Sequence, residues 1–468
     1  SFLSWALILL ATIRMKKVPI SALLDDMETM LYEHTAQTDG SSVVLPGVAS
    51  LDDARVDMVA DLSVNWFVDY NTENFDADNG KMIGTLRIPC FLKHNNEFVD
   101  SRYILKSTLD YVGKELLAEM KKEAASPGLA CDPKEIEEIV FTSATELEFW
   151  TKTPRENVST TDLSSSQVMQ EQYWQRTRGN VRTSLEQAVQ TLNLYGLNPE
   201  MGHKEVGGVR GQLDENGNMT HVNEQLEIDW RFSTPLQAAD NEILVRSVVK
   251  EIFRSNGLEV SFQAKPIFGV AGSGEHTHVG IAARLKDGKI INLMSPADMK
   301  KDFLSAVGYG VLMGILKNYE VVNPIVSATT DAFNRLRPGF EAPICIVTSL
   351  GRSYDVPTRN RTILAGLIRD VDNPRQRVSK CGLPTLLPTL IWLRRLSTCP
   401  PLMELLPSCV RARIQKPLKK KSPRNREKKD STLKKIGPIA LKITSLRTIR
   451  KTNGTSTLAN RRQRFGKT

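Results

Sequence analysis

The stretch Val140-Phe141-Thr142-Ser143-Ala144-Thr145-Glu146-Leu147-Glu148-Phe149-Trp150 decides the fold. It is an apolar run of strand length, and strand side chains alternate between two faces, so Glu146 and Glu148 point the same way. Two carboxylates on an inward strand face carry a desolvation cost that only cationic partners offset. Taken alone, the pair fits an edge strand with a solvated acidic face equally well. Two further segments tilt the balance. His203-Lys204-Glu205 precedes a Gly-Gly turn, and Glu224-Gln225-Leu226-Glu227-Ile228-Asp229 is a second strand of alternating acids. Gly272-Ser273-Gly274-Glu275-His276-Thr277-His278 then places two imidazoles at strand spacing just past a Gly-rich turn. Carboxylates with an imidazole suit Mg2+ or Mn2+, hard ions that also bind phosphate oxygens.

A basic cluster follows, Arg335-Leu336-Arg337-Pro338-Gly339-Phe340-Glu341-Ala342-Pro343 and then Arg359-Asn360-Arg361. Each Arg alone reads as a solvated surface residue. Guanidinium groups beside a metal site, however, are what phosphoryl transfer requires, because charge develops on the transferred oxygens. Acid pairs, a His pair and Arg pairs together point to a metal–nucleotide site.

Outward from these segments the pattern is α+β. Residues 1–105 hold short apolar or alternating runs at 43–48, 56–62, 64–69 and 82–88, broken by Asp, Asn and Gly. Arg102–Ala125 has helical spacing, with Leu105, Leu109, Val112, Leu116 and Met120 on one face. Gln172–Leu194 is a second predicted helix, stopped by Tyr195-Gly196, and 303–319 a third. Strands are expected at 225–231, 258–271, 277–283 and 343–348. No internal repeat is found.

The 468 residues carry 62 Lys and Arg against 53 Asp and Glu, a formal charge of +9 that is unevenly spread. Residues 401–468 hold 20 bases and three acids (Glu404, Glu427, Asp430), a net of +17. The first 400 residues, with 42 bases and 50 acids, stand at −8. No aromatic residues interleave the Lys/Arg runs at Lys416–Lys421 and Arg424–Lys429, which argues against nucleic-acid binding. The six cysteines are scattered without Cys-x-x-Cys spacing and read as reduced thiols of a cytoplasmic protein. Phe2–Ile13 is apolar but too short to span a bilayer, so a buried strand is expected there and no membrane association. The opening on Ser1 rather than Met reads as a truncated frame.

Over residues 15–378 the chain resembles the glutamine synthetase family. Asp39-Gly40-Ser41-Ser42 and Ala60-Asp61-Leu62-Ser63 are similar to motifs of that family's β-grasp domain. Glu146 to Phe149, Glu200 to Glu205, Gln225 to Ile228, Gly272 to His278 and Arg335 to Pro343 resemble its successive active-site motifs, in order. The resemblance implies an N-terminal β-grasp domain (1–105) and a catalytic domain (106–378) built on a curved antiparallel sheet with helices. It implies ligation of ammonia to glutamate at the expense of ATP, through γ-glutamyl phosphate, in a ring-shaped homo-oligomer with active sites shared between subunits. By that resemblance Glu148, Glu205 and Glu227 hold one divalent ion, and Glu146 and His276 a second. Glu200 resembles a nucleotide contact, while Gly272, His278 and Arg335 resemble glutamate-binding positions. Arg361 resembles the phosphate-stabilising Arg, Glu341 the flap glutamate and Asp39 the ammonium-site aspartate. Arg369 stands near a further substrate-side Arg, with the spacing displaced by a few residues.

The chain departs from the family at Ala271 (Asn there), at Gly280 (Ser there) and in an inserted loop at 207–222. These leave the metal residues in place and open the choice of amine, so a γ-glutamyl-amine (polyamine) ligase is the rival reading. The family's closing strand reads Phe-Glu-Val-Arg, then Asn-Pro-x-x-Asn-x-Tyr-Leu; here stands Val378-Ser379-Lys380-Cys381-Gly382-Leu383-Pro384-Thr385. Read two bases ahead from the third base of the Val378 codon, the codons permit Phe, Glu, Met or Val, and Arg, and stay compatible with the family pattern through Leu393. Residues 379–468 are therefore read as a frameshifted, disordered tail, and the chain as written as a homologue impaired by the loss of that strand's Glu and Arg.

Overall fold

The acid-bearing run lies inside an 18-residue strand, Ile136–Thr153, in the computed structural model of the chain. The structure describes residues 2–8, 12–39, 55–122, 128–158, 173–209, 211, 214–218, 220–326, 331–335, 348–354, 356–357, 365–368 and 378–381. The predicted strand at 43–48 and the tail beyond 381 lie outside them.

In chain order the strands are β1 (Phe2–Ile8), β2 (Thr12–Val18), β3 (Ala36–Asp39), β4 (Arg55–Ala60), β5 (Phe67–Phe75), β6 (Met82–His94) and β7 (Glu97–Phe98). These seven form one sheet, β2-β1-β6-β4-β3, with β5 and β7 also on β6. The apolar run at the start of the chain is thus strand, paired parallel to β6 and antiparallel to β2. After α1 (Ile20–Asp25) and α2 (Ser101–Lys122) come β8 (Ile136–Thr153), α3 (Gly179–Leu194), β9 (Pro199–Val209), β10 (Val222–Trp230), α4 (Pro235–Ser255), β11 (Glu259–Ser261), β12 (Glu275–Leu285) and β13 (Ile290–Asn292). The remainder is α5 (Ala306–Val326), α6 (Ala332–Arg335), β14 (Thr348–Ser349), β15 (Gly351–Ser353), β16 (Val356–Pro357), β17 (Ala365–Ile368) and β18 (Val378–Cys381). A curled nine-stranded sheet runs β14-β17-β18-β12-β8-β10-β9, with β11 on β8 and β13 on β12. Its pairings are antiparallel except β14–β17. This is the α+β class expected, with a β-grasp-type N-terminal sheet.

Strand β8 shows why the site falls where it does. Phe141, Ser143, Thr145, Leu147 and Phe149 are buried, while Thr142, Ala144, Glu146 and Glu148 lie half-buried on the other face. The buried face is covered by helices. Leu147, Phe149, Leu226 and Ile228 meet Leu185, Ala188 and Leu192 of α3 and Val245, Val249 and Phe253 of α4. Ile139, Phe141 and Ile281 meet α2 and α5 through Val112, Leu116, Val311 and Ile315. Each such side chain contributes about 1.5–3 kcal/mol by leaving water, and together they commit the acids to the opposite face.

The sheets are tied by Arg102 at the start of α2. Its Nε donates to Asp240 of α4 at 2.8 Å and an Nη to Asp61, just after β4, also at 2.8 Å. All three side chains are buried, so breaking the trio would strand an unpaired charge.

Several predicted boundaries shift for local reasons. The helix expected from 172 begins at Gly179, because Trp174 has φ +60°, a left-handed conformation no right-handed helix continues through. The helix expected from 303 begins at Ala306, where Ser305 Oγ accepts from Gly308 N at 3.1 Å and caps it. Of the apolar run 258–271 only Glu259–Ser261 is strand, since Pro266 lacks a ladder donor and Gly269 turns at φ +82°.

Candidate metal centre

The register of four neighbouring strands stacks the polar residues in two rows. In one, His276 of β12 lies opposite Glu146 of β8, which lies opposite Asp229 of β10. In the next, Glu148 lies opposite Glu227 of β10, which lies opposite His203 of β9. Because each strand was already committed to one buried face, residues far apart in sequence converge without any special turn.

Among the described residues two groups of ligand atoms result, each within 4.8 Å of one another: Glu146, Glu227 and His276, and His203, Glu205 and Glu227. Glu227 belongs to both. Glu146 is gripped by two imidazoles, His276 Nδ1 at 2.8 Å and His278 Nε2 at 2.7 Å. With Nδ1 donating, His276 keeps Nε2 free to ligate. His203 Nε2 stands 3.6 Å from Glu227. Burial, then the hydrogen bond with Glu205 and the charges of Asp229, Glu148 and Glu146, raise the Glu227 carboxyl well above the usual carboxylate range. Packed carboxylates with imidazoles, crowded enough to raise the Glu227 carboxyl, fit a hard divalent cation, whose binding would compete with the proton there.

Glu148 stands outside both groups. Its Oε2 accepts from Gly274 N at 2.6 Å and from Gln225 Nε2 at 2.9 Å. The Gly-rich turn approaches closely because it lacks side chains: a Cβ on Gly274 would sit 2.8 Å from Glu148 Oε1 and 3.1 Å from the Arg335 guanidinium. Arg335, on α6, is thereby brought to the same turn, and the Gly272 carbonyl accepts from Gln225 at 3.0 Å. Glu200 is exposed on β9, five residues before Glu205. Asp39 ends β3 in the other sheet, opposite Arg55. Glu341, Arg361 and Arg369 lie outside the described residues.

Three polar residues on the site face of β9 and β10 were not singled out as site residues from sequence: His203, Gln225 and Asp229. Their signal was parity with Glu205 and Glu227, legible once both segments are strands. Beneath the site, Glu275 is paired with Arg246 of α4 at 2.7 Å, on the buried face. Lys204 is buried beside Glu205, its ammonium donating to the Gly207 carbonyl at 2.6 Å. Desolvation lowers its pKa to about 8. Among the described residues no helix is long and apolar enough to cross a membrane.

A family model described as glutamine synthetase, catalytic domain, matches residues 112–353, more than half of the chain. The chain is 40% identical over 125 residues to a glutamine synthetase of Sulfolobus acidocaldarius, a stretch covering 27% of this chain and 26% of that relative's length. Among solved structures, a cryo-EM glutamine synthetase of Plasmodium falciparum superposes with a TM-score of 0.61 at 19% identity, over 86% of this chain and 72% of that one. A ligand-free structure of GmaS superposes with a TM-score of 0.56 at 18% identity, over 86% and 78%. At these identities the superpositions speak for the fold.

Proposed function

We propose, from the premise that the chain belongs to the glutamine synthetase catalytic-domain family, that it is built as an ATP-dependent ligase joining ammonia to the γ-carboxylate of glutamate. The observation that carries this reading is the pair of carboxylate–imidazole groups sharing Glu227 beside the Gly-rich turn. Glu205, Glu227 and Glu148 would hold one Mg2+ or Mn2+, with His203 at its edge, and Glu146 and His276 the second. Such ions supply charge stabilisation to transferring phosphoryl oxygens.

The chain's own residues then divide the remaining work. Glu200 contacts the nucleotide; the Gly272 turn, His278 and Arg335 orient glutamate; Arg361 and Arg369 meet negative charge on the phosphoryl and substrate side. Phosphorylation of the γ-carboxylate precedes amine attack because a carboxylate is a poor electrophile at neutral pH. Glu341 closes the site, excludes water that would hydrolyse the acyl phosphate, and with Asp39 takes the proton from ammonium. Asp39 sits in the N-terminal sheet, which suits a site shared between subunits of a cytoplasmic homo-oligomer.

A second reading, a γ-glutamyl-amine ligase, is favoured by Ala271 and Gly280 and by the inserted segment at 207–222, which includes the end of β9 and the start of β10. Phosphate release from ATP and glutamate, measured with ammonium and then with methylamine or polyamines, separates the two. Release with ammonium alone supports glutamine formation; absence of release with every amine, at saturating Mn2+, from the chain with its frame restored at codon 378 sinks the ligase reading. The chain as written is expected to release less phosphate than the restored one, since Val378–Cys381 pairs with β12 as β18 but contains no carboxylate.

A further inference from the structure

Gln225 lies on the site face of β10 between Glu227 and the β9 bulge, and its side chain is buried. The register jumps from Glu224–Gly208 to Leu226–Lys204, so Glu205, Val206 and Gly207 lie opposite Gln225 alone. The carboxamide fills that bulge. Its Oε1 accepts from Gly207 N at 3.1 Å, and its Nε2 donates to Glu148 Oε2 at 2.9 Å and to the Gly272 carbonyl at 3.0 Å. The opposite amide orientation would set donor against donor at Gly207 and acceptor against acceptor at Gly272 and Glu148, so one orientation is enforced. Gly207 is required for the approach: a Cβ there would lie 2.4 Å from Oε1 and 2.6 Å from the Trp150 ring.

One neutral amide thus ties together three parts of the centre: the bulge that delivers Glu205, the Glu148 carboxylate and the turn that leads into His276. We propose that Gln225 is a positioning residue of the metal centre, holding the Glu148 carboxylate in place opposite Glu227. This rests on the metal-centre reading given above. Hydrogen bonds to a ligating carboxylate restrict its rotation, and losing such a partner costs about 10–100-fold in metal affinity.

Mn2+ titration of the full chain, followed by electron paramagnetic resonance, tests the proposal, with thermal melting as the check on folding. Glu148→Gln first identifies which of the bound ions depends on Glu148. Gln225→Met keeps the volume but removes all three hydrogen bonds, and is expected to weaken that same ion by about 10–100-fold while sparing the other. Gln225→Glu, which sets an oxygen against Glu148, is expected to weaken it further. In the Glu148→Gln background Gln225→Met should have no additional effect, because the residue acts through Glu148. Unchanged Mn2+ affinity in Gln225→Met overturns the proposal. So does equal weakening of both ions with a lowered melting temperature, which would mark plain packing. Absence of Mn2+ binding by the unaltered chain overturns the metal centre itself and this role with it.

Discussion

Arg246, on helix α4, donates at 2.7 Å to Glu275, the residue immediately before His276. It also donates to Glu242 at 2.9 Å, and its guanidinium lies over the Phe262 ring. This trio, two buried carboxylates on one half-buried guanidinium, anchors the start of β12, and so the imidazole of the metal centre, to the helix layer below. Arg246→Met strands two buried carboxylates and should lower unfolding free energy by about 3–5 kcal/mol. Glu275→Gln keeps a hydrogen-bonding partner for Arg246, which retains Glu242, and should cost about 1 kcal/mol. Urea denaturation of the two variants checks the ordering.

Glu227 is shared by both ligand groups, so its removal should be felt at both. Its carboxyl is raised above the ordinary value of 4.5, chiefly by burial. A raised carboxyl contributes stability below its unfolded pKa and loses it as pH climbs beyond, where ionisation is unwelcome in the fold. Without metal, Glu227→Gln should therefore melt higher than the unaltered chain at pH 8. With saturating Mn2+ the order should reverse, because only the unaltered chain gains RT ln(1 + [L]/Kd) from binding. Thermal melts with and without Mn2+ read the crossing; parallel shifts in both proteins would count against the centre.

Lys204 makes a pH prediction of the opposite sense. Its pKa falls from 10.5 to about 8 by desolvation. Between those values the unfolded chain binds more protons than the folded one, so stability contributed at this position rises with pH across that window. The shift corresponds to about 3 kcal/mol. The melting temperature of Lys204→Met relative to the unaltered chain should be highest at pH 7 and decline towards pH 10.5. A pH-independent difference would contradict the buried ammonium.

Restoring the frame at codon 378 gives a direct test of the closing strand. The restored chain should form γ-glutamyl hydroxamate faster than the chain as written by 10-fold or more, the order expected when a metal site regains a carboxylate. An intact frame in long-read sequencing of the locus, with tail peptides in mass spectrometry, would remove the premise.

What the sequence determined by itself was parity. Period-two alternation in Val140–Trp150 and Glu224–Asp229 assigns Glu146, Glu148 and Glu227 to one face before any partner is known, because the apolar residues between them must be buried, and strand spacing puts His276 and His278 on a common face of their own strand. The order of the motifs was likewise legible, and with it the family. What only the tertiary structure decided was register and local breaks in it. Which acid stands opposite which imidazole depends on how β12, β8, β10 and β9 slide against one another, set by helices α3 and α4 packed beneath. The bulge at Glu205–Gly207 makes room for Gln225, and the lack of a side chain at Gly274 lets Arg335 and Glu148 both approach that turn. The same packing leaves Glu148 with Gln225 and the turn rather than inside either ligand group. Sequence periodicity carries no signal for such contacts, since they arise where the regular ladder fails and a side chain fills the gap.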